Sequence, residues 1–142
     1  MKVYVDTSFL VSLYSPDSNS ATAARTMQAS RASHYTTLFG ELEFVNALHS
    51  RVFRKEISAS QAQSSVKDFQ KDVGDGLLQL RPLSDQAFDR AHQLALQTTA
   101  RLGTRTADLL HVAAALELGV DCLYSFDQQQ RKLAEAVRLK LN

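Results

Sequence analysis

Four acidic side chains fall where a carboxylate can do chemistry: Asp6, Glu43, Asp108 and Asp127. Asp6 closes the β-prone run Val3-Tyr4-Val5, and Asp127 follows the apolar run Cys122-Leu123-Tyr124. If these runs lie in one parallel sheet, both carboxylates open onto the same edge. Asp108 falls in the first turn of a helix starting near Thr106. That helix is apolar on most sides through Leu109, Leu110, Val112, Ala113 and Leu116, so its first turn points at the sheet edge. Glu43 stands beside the apolar stripe of a helix opening at Leu38, and by periodicity Glu41 is its rival. Each acid also has an ordinary structural use. Asp6 and Asp127 precede helical stretches and suit N-caps, Asp127 with Gln130 three residues on. Asp108 suits the positive end of a helix dipole, and a flanking Glu is ordinarily solvated. Capping and ligation are compatible, because one oxygen can cap while the other binds a ligand.

Convergence of three or four of these acids would have a cost. Two carboxylates about 5 Å apart repel by roughly 3 kcal/mol at an effective dielectric near 20. Such a cluster either takes up a proton or binds a hard divalent cation through oxygen. With a single Cys and no His/Cys cluster at zinc spacing, an all-oxygen site selects Mg²⁺ or Mn²⁺ over Zn²⁺.

The hydrophobic pattern predicts the elements that must position these groups. Val3-Tyr4-Val5 reads as a strand feeding a helix over Phe9, Leu10 and Leu13, broken by Pro16 and the polar Asp17-Ser18-Asn19-Ser20. Ala21 to Arg31 suits a second helix and His34 to Thr37 a short strand. The steps Leu38, Leu42, Val45, Leu48 and Val52 predict an amphipathic helix ending in Arg51, Arg54 and Lys55, cations that suit a helix C-terminus. Ser58 with Gln61 predicts a capping box, followed by the stripe Ala62, Val66, Phe69, Val73. Gly74-Asp75-Gly76 stops that helix, Leu77, Leu78 and Leu80 read as a strand, and Ser84 caps a helix bearing Phe88, Ala91, Leu94 and Ala95 that Gly103 closes. A helix from Thr106 to Leu118, a turn at Gly119, the strand Cys122–Tyr124 and a helix opening at Asp127 complete the chain. Short strands alternating with helices predict an α/β fold with a small parallel sheet covered on both faces. In such sheets ligands gather beyond the carboxyl ends of the strands.

Composition narrows the classes. The 142 residues, 44% of them apolar, predict a single domain over 1–142 rather than a disordered chain. No apolar run approaches the roughly 20 residues that span a bilayer, and the first residues lack the apolar core of a signal peptide. A cytoplasmic protein is expected. Lone Cys122, beside apolar residues, reads as a buried inert thiol. Sixteen basic against fifteen acidic side chains exclude a global basic coat, so any nucleic-acid contact must come from a local patch.

Four segments together resemble a known family. Val-Asp-Thr-Ser (5–8), Glu-Phe-Val-Asn-Ala-Leu (43–48), Ala-Asp-Leu-Leu-His-Val-Ala-Ala-Ala (107–115) and Leu-Tyr-Ser-Phe-Asp (123–127) resemble, in order and spacing, the four motifs of PIN-domain nucleases, and among them the bacterial VapC-type toxins. The resemblance implies a Rossmann-like three-layer sandwich and an Mg²⁺- or Mn²⁺-dependent endoribonuclease that leaves a 5′-phosphate and a 3′-hydroxyl. It also implies a cognate antitoxin and a homodimer. It makes Asp6, Glu43, Asp108 and Asp127 the metal-binding acids, and it settles Glu43 over Glu41, because the family's acid stands three residues before the Asn of Asn46-Ala47-Leu48. Ser125 replaces the Thr that relatives often carry before Phe-Asp. Its hydroxyl is expected to orient Asp127 or a water, and Thr7 to do likewise beside Asp6.

RNA also needs cations near the acids. Arg101 and Arg105 upstream of Asp108, with Arg51 and Arg54 downstream of Glu43, are the backbone-contact candidates, set against the ordinary reading of solvated charges. His111, one turn after Asp108, could reach the site as a ligand, although packing in a helix interface is the commoner use. Competing readings are weaker. Aspartyl-phosphate hydrolases want a second Asp where Ser8 stands, and a receiver-like domain wants an acidic pair by the first strand and a late Lys. A PIN domain acting mainly as an RNA- or DNA-binding subunit of a complex, or as a housekeeping RNA-processing nuclease, stays open.

Overall fold

The computed structural model describes every residue, Met1–Asn142. Strands β1 (Lys2–Val5), β2 (Ser33–Thr37), β3 (Gln79–Arg81), β4 (Cys122–Tyr124) and β5 (Lys140–Leu141) form one sheet in the order β3-β2-β1-β4-β5. Every pairing is parallel, so all strand carboxyl ends share one edge. Helices α1 (Thr7–Tyr14), α2 (Ser20–Ala29), α3 (Leu38–Phe53), α4 (Ala59–Gly74), α5 (Asp85–Leu94), α6 (Ala100–Leu102), α7 (Thr106–Glu117) and α8 (Gln128–Ala136) connect them. A π-helical turn over Ala95–Thr99 joins α5 to α6.

Strand alternation divides the interior in two. Val3 and Val5 of β1, with Cys122 and Tyr124 of β4, face one side and pack with Phe9, Leu10, Ala23, Phe44, Leu48, Ala62 and Phe69 from α1 to α4. Tyr4 and Leu123 face the other, against Ala91, Leu94, Leu110, Ala113 and Leu133 of α5, α7 and α8. The result is the expected three-layer α/β sandwich. Fully buried Phe44, Leu48 and Phe69 each contribute about 1.5–3 kcal/mol by leaving water. β1 lies at the centre, flanked by β2 and β4, so its end is the middle of the carboxyl edge.

Caps act as predicted. Asp6 accepts from the Phe9 amide and Asp127 from the Gln130 amide, Ser84 accepts from Ala87, and the Ser58–Gln61 box is complete. Gly103, at φ +66°, ends α6 in the left-handed region open to glycine and turns the chain toward α7.

Four details differ from the sequence expectation. Leu38 and Leu42 of the predicted α3 stripe are 52% and 66% exposed; the buried line is Gly40, Phe44, Leu48, because α3 is turned by about a quarter turn from the predicted face, which keeps Leu48 in the core and Val45 and Val52 partly buried. Leu77 and Phe88 are exposed as well, with Leu78 and Ala87 taking the buried places. Gln130 does not reach back to close a box at Asp127; it is buried and its Nε2 has no partner. β5 was missed, being two residues long on the sheet edge.

Candidate active site

A cavity of about 560 Å³ opens at the carboxyl edge of the sheet, and Asp6, Glu43, Asp108 and Asp127 all line it. Four different elements deliver them. Asp6 ends β1 and caps α1, Glu43 projects from the second turn of α3, Asp108 sits in the first turn of α7, and Asp127 caps α8 after β4. Thr7, Ser8, Asp17, Asn19, Arg105 and His111 share the lining.

Asp6 is 2% exposed and heavily bonded. Its Oδ1 accepts from the Ser8 hydroxyl at 2.7 Å and the Phe9 amide at 2.9 Å, and its Oδ2 accepts from the Ser125 hydroxyl. Burial pushes its carboxyl above the usual range, although the hydrogen bonds from Ser125, Phe9 and Ser8 act the other way. Glu43 Oε1 accepts from Thr7 Oγ1 at 2.7 Å and also meets His111 Nε2. Burial works to raise Glu43, but these donors and the Arg105 charge prevail and hold it below its ordinary value. Asp108, also 2% exposed, accepts from the Arg105 backbone at 3.1 Å and from the same residue's guanidinium at 3.0 and 3.1 Å. Asp127 Oδ2 accepts from that guanidinium at 2.7 Å. Against burial, the Gln130 amide and Arg105 keep Asp127 below the usual range. Bonds to Asp108 and Asp127 raise Arg105 above its already high value, so it stays charged.

These positions correct several expectations. Ser125 orients Asp6; of Asp127 it meets only the backbone N–H, which donates to the Ser125 oxygen at 3.1 Å. Thr7 bonds to Glu43 instead of Asp6. Arg105 is in the cavity, but Arg51, Arg54 and Arg101 do not line it. Arg51 donates to Ser15 and pairs with Glu56, and Arg54 pairs with the same Glu56, at the far end of α3. His111 is no free ligand: Nδ1 lies 2.8 Å from the Tyr4 hydroxyl and Nε2 faces Glu43 and Thr7. Ser8 was read only as a position lacking an acid, yet it binds Asp6 with its hydroxyl and accepts from the Phe126 amide at 2.9 Å. Asp17 was read only as part of a helix break. The signal for Ser8 was its place two residues after Asp6, where a hydroxyl can turn back onto the cap.

Nowhere do three or more His, Cys, Asp or Glu side chains converge tightly enough to hold one ion between them. The four expected acids are instead spread around the cavity, with the Arg105 guanidinium bridging two of them. Donor chemistry still suits a hard cation. The groups are all oxygen, the charge is predominantly negative, and the desolvated Asp6 carboxylate is the kind of group that a nearby cation would hold ionised.

The family model described as PIN domain matches residues 3–136. The chain belongs to the PIN domain family. Among solved PIN-like structures, it is similar to VapC20 of Mycobacterium tuberculosis, described as a sarcin-ricin loop cleaving toxin, with 18% identity, a TM-score of 0.73, and 92% of this chain and 93% of that one covered. VapBC2 of Rickettsia felis, solved bound to a DNA fragment from its promoter, gives 16% identity and a TM-score of 0.69, with 100% and 98% covered. VapBC-1 of nontypeable Haemophilus influenzae gives 12%, 0.69, 100% and 97%. At these identities the likeness establishes a common fold. No curated protein sequence matches. No helix of this PIN domain is long and apolar enough to cross a membrane.

Proposed function

We propose that this PIN domain is a metal-dependent endoribonuclease, the toxin of a toxin–antitoxin pair, that hydrolyses RNA phosphodiester bonds. The observation that carries the reading is the delivery of four carboxylates, from positions 6, 43, 108 and 127, into a single cavity at the carboxyl edge of the sheet. Asp6, Glu43, Asp108 and Asp127 would draw together to hold Mg²⁺ or Mn²⁺, a rearrangement that takes the Arg105 guanidinium off Asp108 and Asp127. Such an ion, when bound, lowers the pKa of a water and offsets charge building on the phosphate. The protein's own groups fix the carboxylates. Ser8, Ser125 and the Phe9 amide orient Asp6, and Thr7 and His111 hold Glu43. The Arg105 side chain is 58% exposed, so an incoming phosphate can reach its guanidinium and compete with Asp108 and Asp127 for a planar fork of donors that matches phosphate well.

An antitoxin partner, a homodimer and a cytoplasmic setting belong to the same reading. The antitoxin is supported by the VapBC complexes that share the fold. The test is incubation of the isolated chain with Mn²⁺ and, separately, RNA, single-stranded DNA and duplex DNA. Cleavage of RNA alone, lost in Asp6→Asn and in Asp108→Asn while both stay folded, is expected. Undiminished cleavage by either variant would refute the site. The VapBC2–promoter complex favours one second reading, in which the chain also serves operator binding within a complex. Duplex binding only in the presence of the partner is its signature.

A further inference from the structure

We infer that Tyr4, His111 and Thr7 form a positioning relay that clamps one oxygen of Glu43 and presents the other to the acid cavity, an assignment that rests on the nuclease reading above. The relay starts at the first turn of α3. The Gly40 amide donates to Thr37 Oγ1 at 3.0 Å, and in the relay the Thr37 hydroxyl in turn donates to Tyr4 Oη, 3.2 Å away. Tyr4 is fully buried on β1, and burial pushes its phenol upward, so it keeps its own proton. The nearer acceptor for that proton is His111 Nδ1, at 2.8 Å.

A ring that accepts at Nδ1 carries its proton on Nε2, and Nε2 faces Glu43 Oε1. Thr7 Oγ1 donates to the same oxygen at 2.7 Å and lies 3.2 Å from Nε2. Two donors from α1 and α7 therefore converge on Oε1, and no protein donor reaches Oε2. A free Glu side chain loses rotamer entropy when fixed, and here that ordering precedes any ligand. His111, at 2% exposure and in edge contact with Tyr4, has no freedom to swing into the cavity. Its part is to position Glu43.

Two measurements on the metal-free, full-length protein test the relay. The first is the ¹⁵N NMR pattern of His111, which should show a bare Nδ1 and a protonated Nε2. Tyr4→Phe should lose that tautomer preference. The second is Mn²⁺ affinity without RNA, from the EPR signal of free Mn²⁺. His111→Met should weaken it about tenfold or more, as loss of a group behind a ligand does. His111→Gln keeps a donor near the Nε2 position and should recover most of the loss, which a merely space-filling role would not produce.

A wild-type ring protonated at Nδ1, or a folded His111→Met with unchanged Mn²⁺ affinity, overturns the relay. If His111→Met does not fold, the wild-type tautomer and its loss in Tyr4→Phe decide. Both measurements as expected, with no RNA cleavage by the wild type, would sink the nuclease reading and leave the relay standing. RNA cleavage with an Nδ1-protonated ring would do the reverse, and a wild type that binds no Mn²⁺ removes both.

Discussion

Replacing Asp6 by Asn should act on folding and on chemistry with opposite signs. The carboxyl is 2% exposed, and burial raises its proton affinity above that of the unfolded chain; there an Asp titrates near pH ~3.9. Below that pH both states hold the proton. As pH rises through the higher, folded-state value, the folded protein must ionise a carboxyl that water no longer solvates, and stability falls. Asn has no charge to desolvate. Its Oδ1 can accept from Phe9 and Ser8, Ser125 can turn its hydroxyl to accept from Nδ2, and Asn caps a helix as well as Asp does.

The gap between variant and wild type should therefore be small in acid and should open in favour of Asn with rising pH, by about 1.4 kcal/mol for each tenfold elevation of the Asp6 proton affinity. With an unfolding entropy of about 0.3 kcal/mol/K for a chain of this size, each such step is about 5 °C in Tm. Thermal unfolding of both proteins in EDTA, from about pH 4 to about pH 8, reads this directly. Mn²⁺ at about 100 times its Kd should then stabilise the wild type by about 2.7 kcal/mol and leave the Asn variant unmoved. An Asn variant lying below wild type by one constant margin across the pH range would refute the reasoning.

Gly40→Ala should destabilise by about 1–3 kcal/mol in urea unfolding, because a Cβ there would stand 2.5 Å from Thr36 Oγ1 in a closed part of the core. Arg105→Ala should destabilise by about 1–3 kcal/mol, because it leaves the buried Asp108 carboxylate with only the residue-105 backbone N–H as donor. It should also weaken RNA binding and lower its salt slope by about one. Arg51→Ala, removing a group tied to Ser15 and Glu56 away from the cavity, should leave RNA affinity unchanged in a fluorescence titration run beside that of Arg105→Ala. Ser58→Ala, by breaking the cap of α4, should cost about 0.5–2 kcal/mol without altering cleavage, as a melt paired with an RNA assay will tell.

Much of this architecture was legible because strand and helix periods differ and the breakers are strong. Pro16, Gly103 and the Ser58 and Ser84 caps mark ends that depend on a few adjacent residues. The rotation of α3 was not legible. Leu38 and Leu42 continue a plausible stripe, and only contact with the sheet decides that Gly40 and Phe44 face inward. For the site, chemistry and place picked out the acids, and the resemblance chose Glu43 over Glu41, which periodicity alone could not do. Their partners were harder to see. Ser125 and Asp6 lie 119 positions apart yet share a hydrogen bond, and Tyr4 and His111 each look like ordinary core residues until the fold joins them across 107 positions. Arg54 shows the opposite error: proximity in sequence to Glu43 suggested a role that the length of a helix removes.

The central placement of β1 has a temporal consequence. Its neighbour on one side is β2, early in the chain, and on the other β4, which arrives near the end together with Ser125 and Asp127. Asp6 is made early, with the Ser8 hydroxyl beside it, but the Ser125 hydroxyl and the Asp127 carboxylate follow only after β4, and the Ser125 amide in turn donates to Asn142. A nascent chain halted before Asp127 holds only part of the cavity. The order of residues therefore keeps this centre unfinished until Ser125 and Asp127 have been made and β4 has paired with β1.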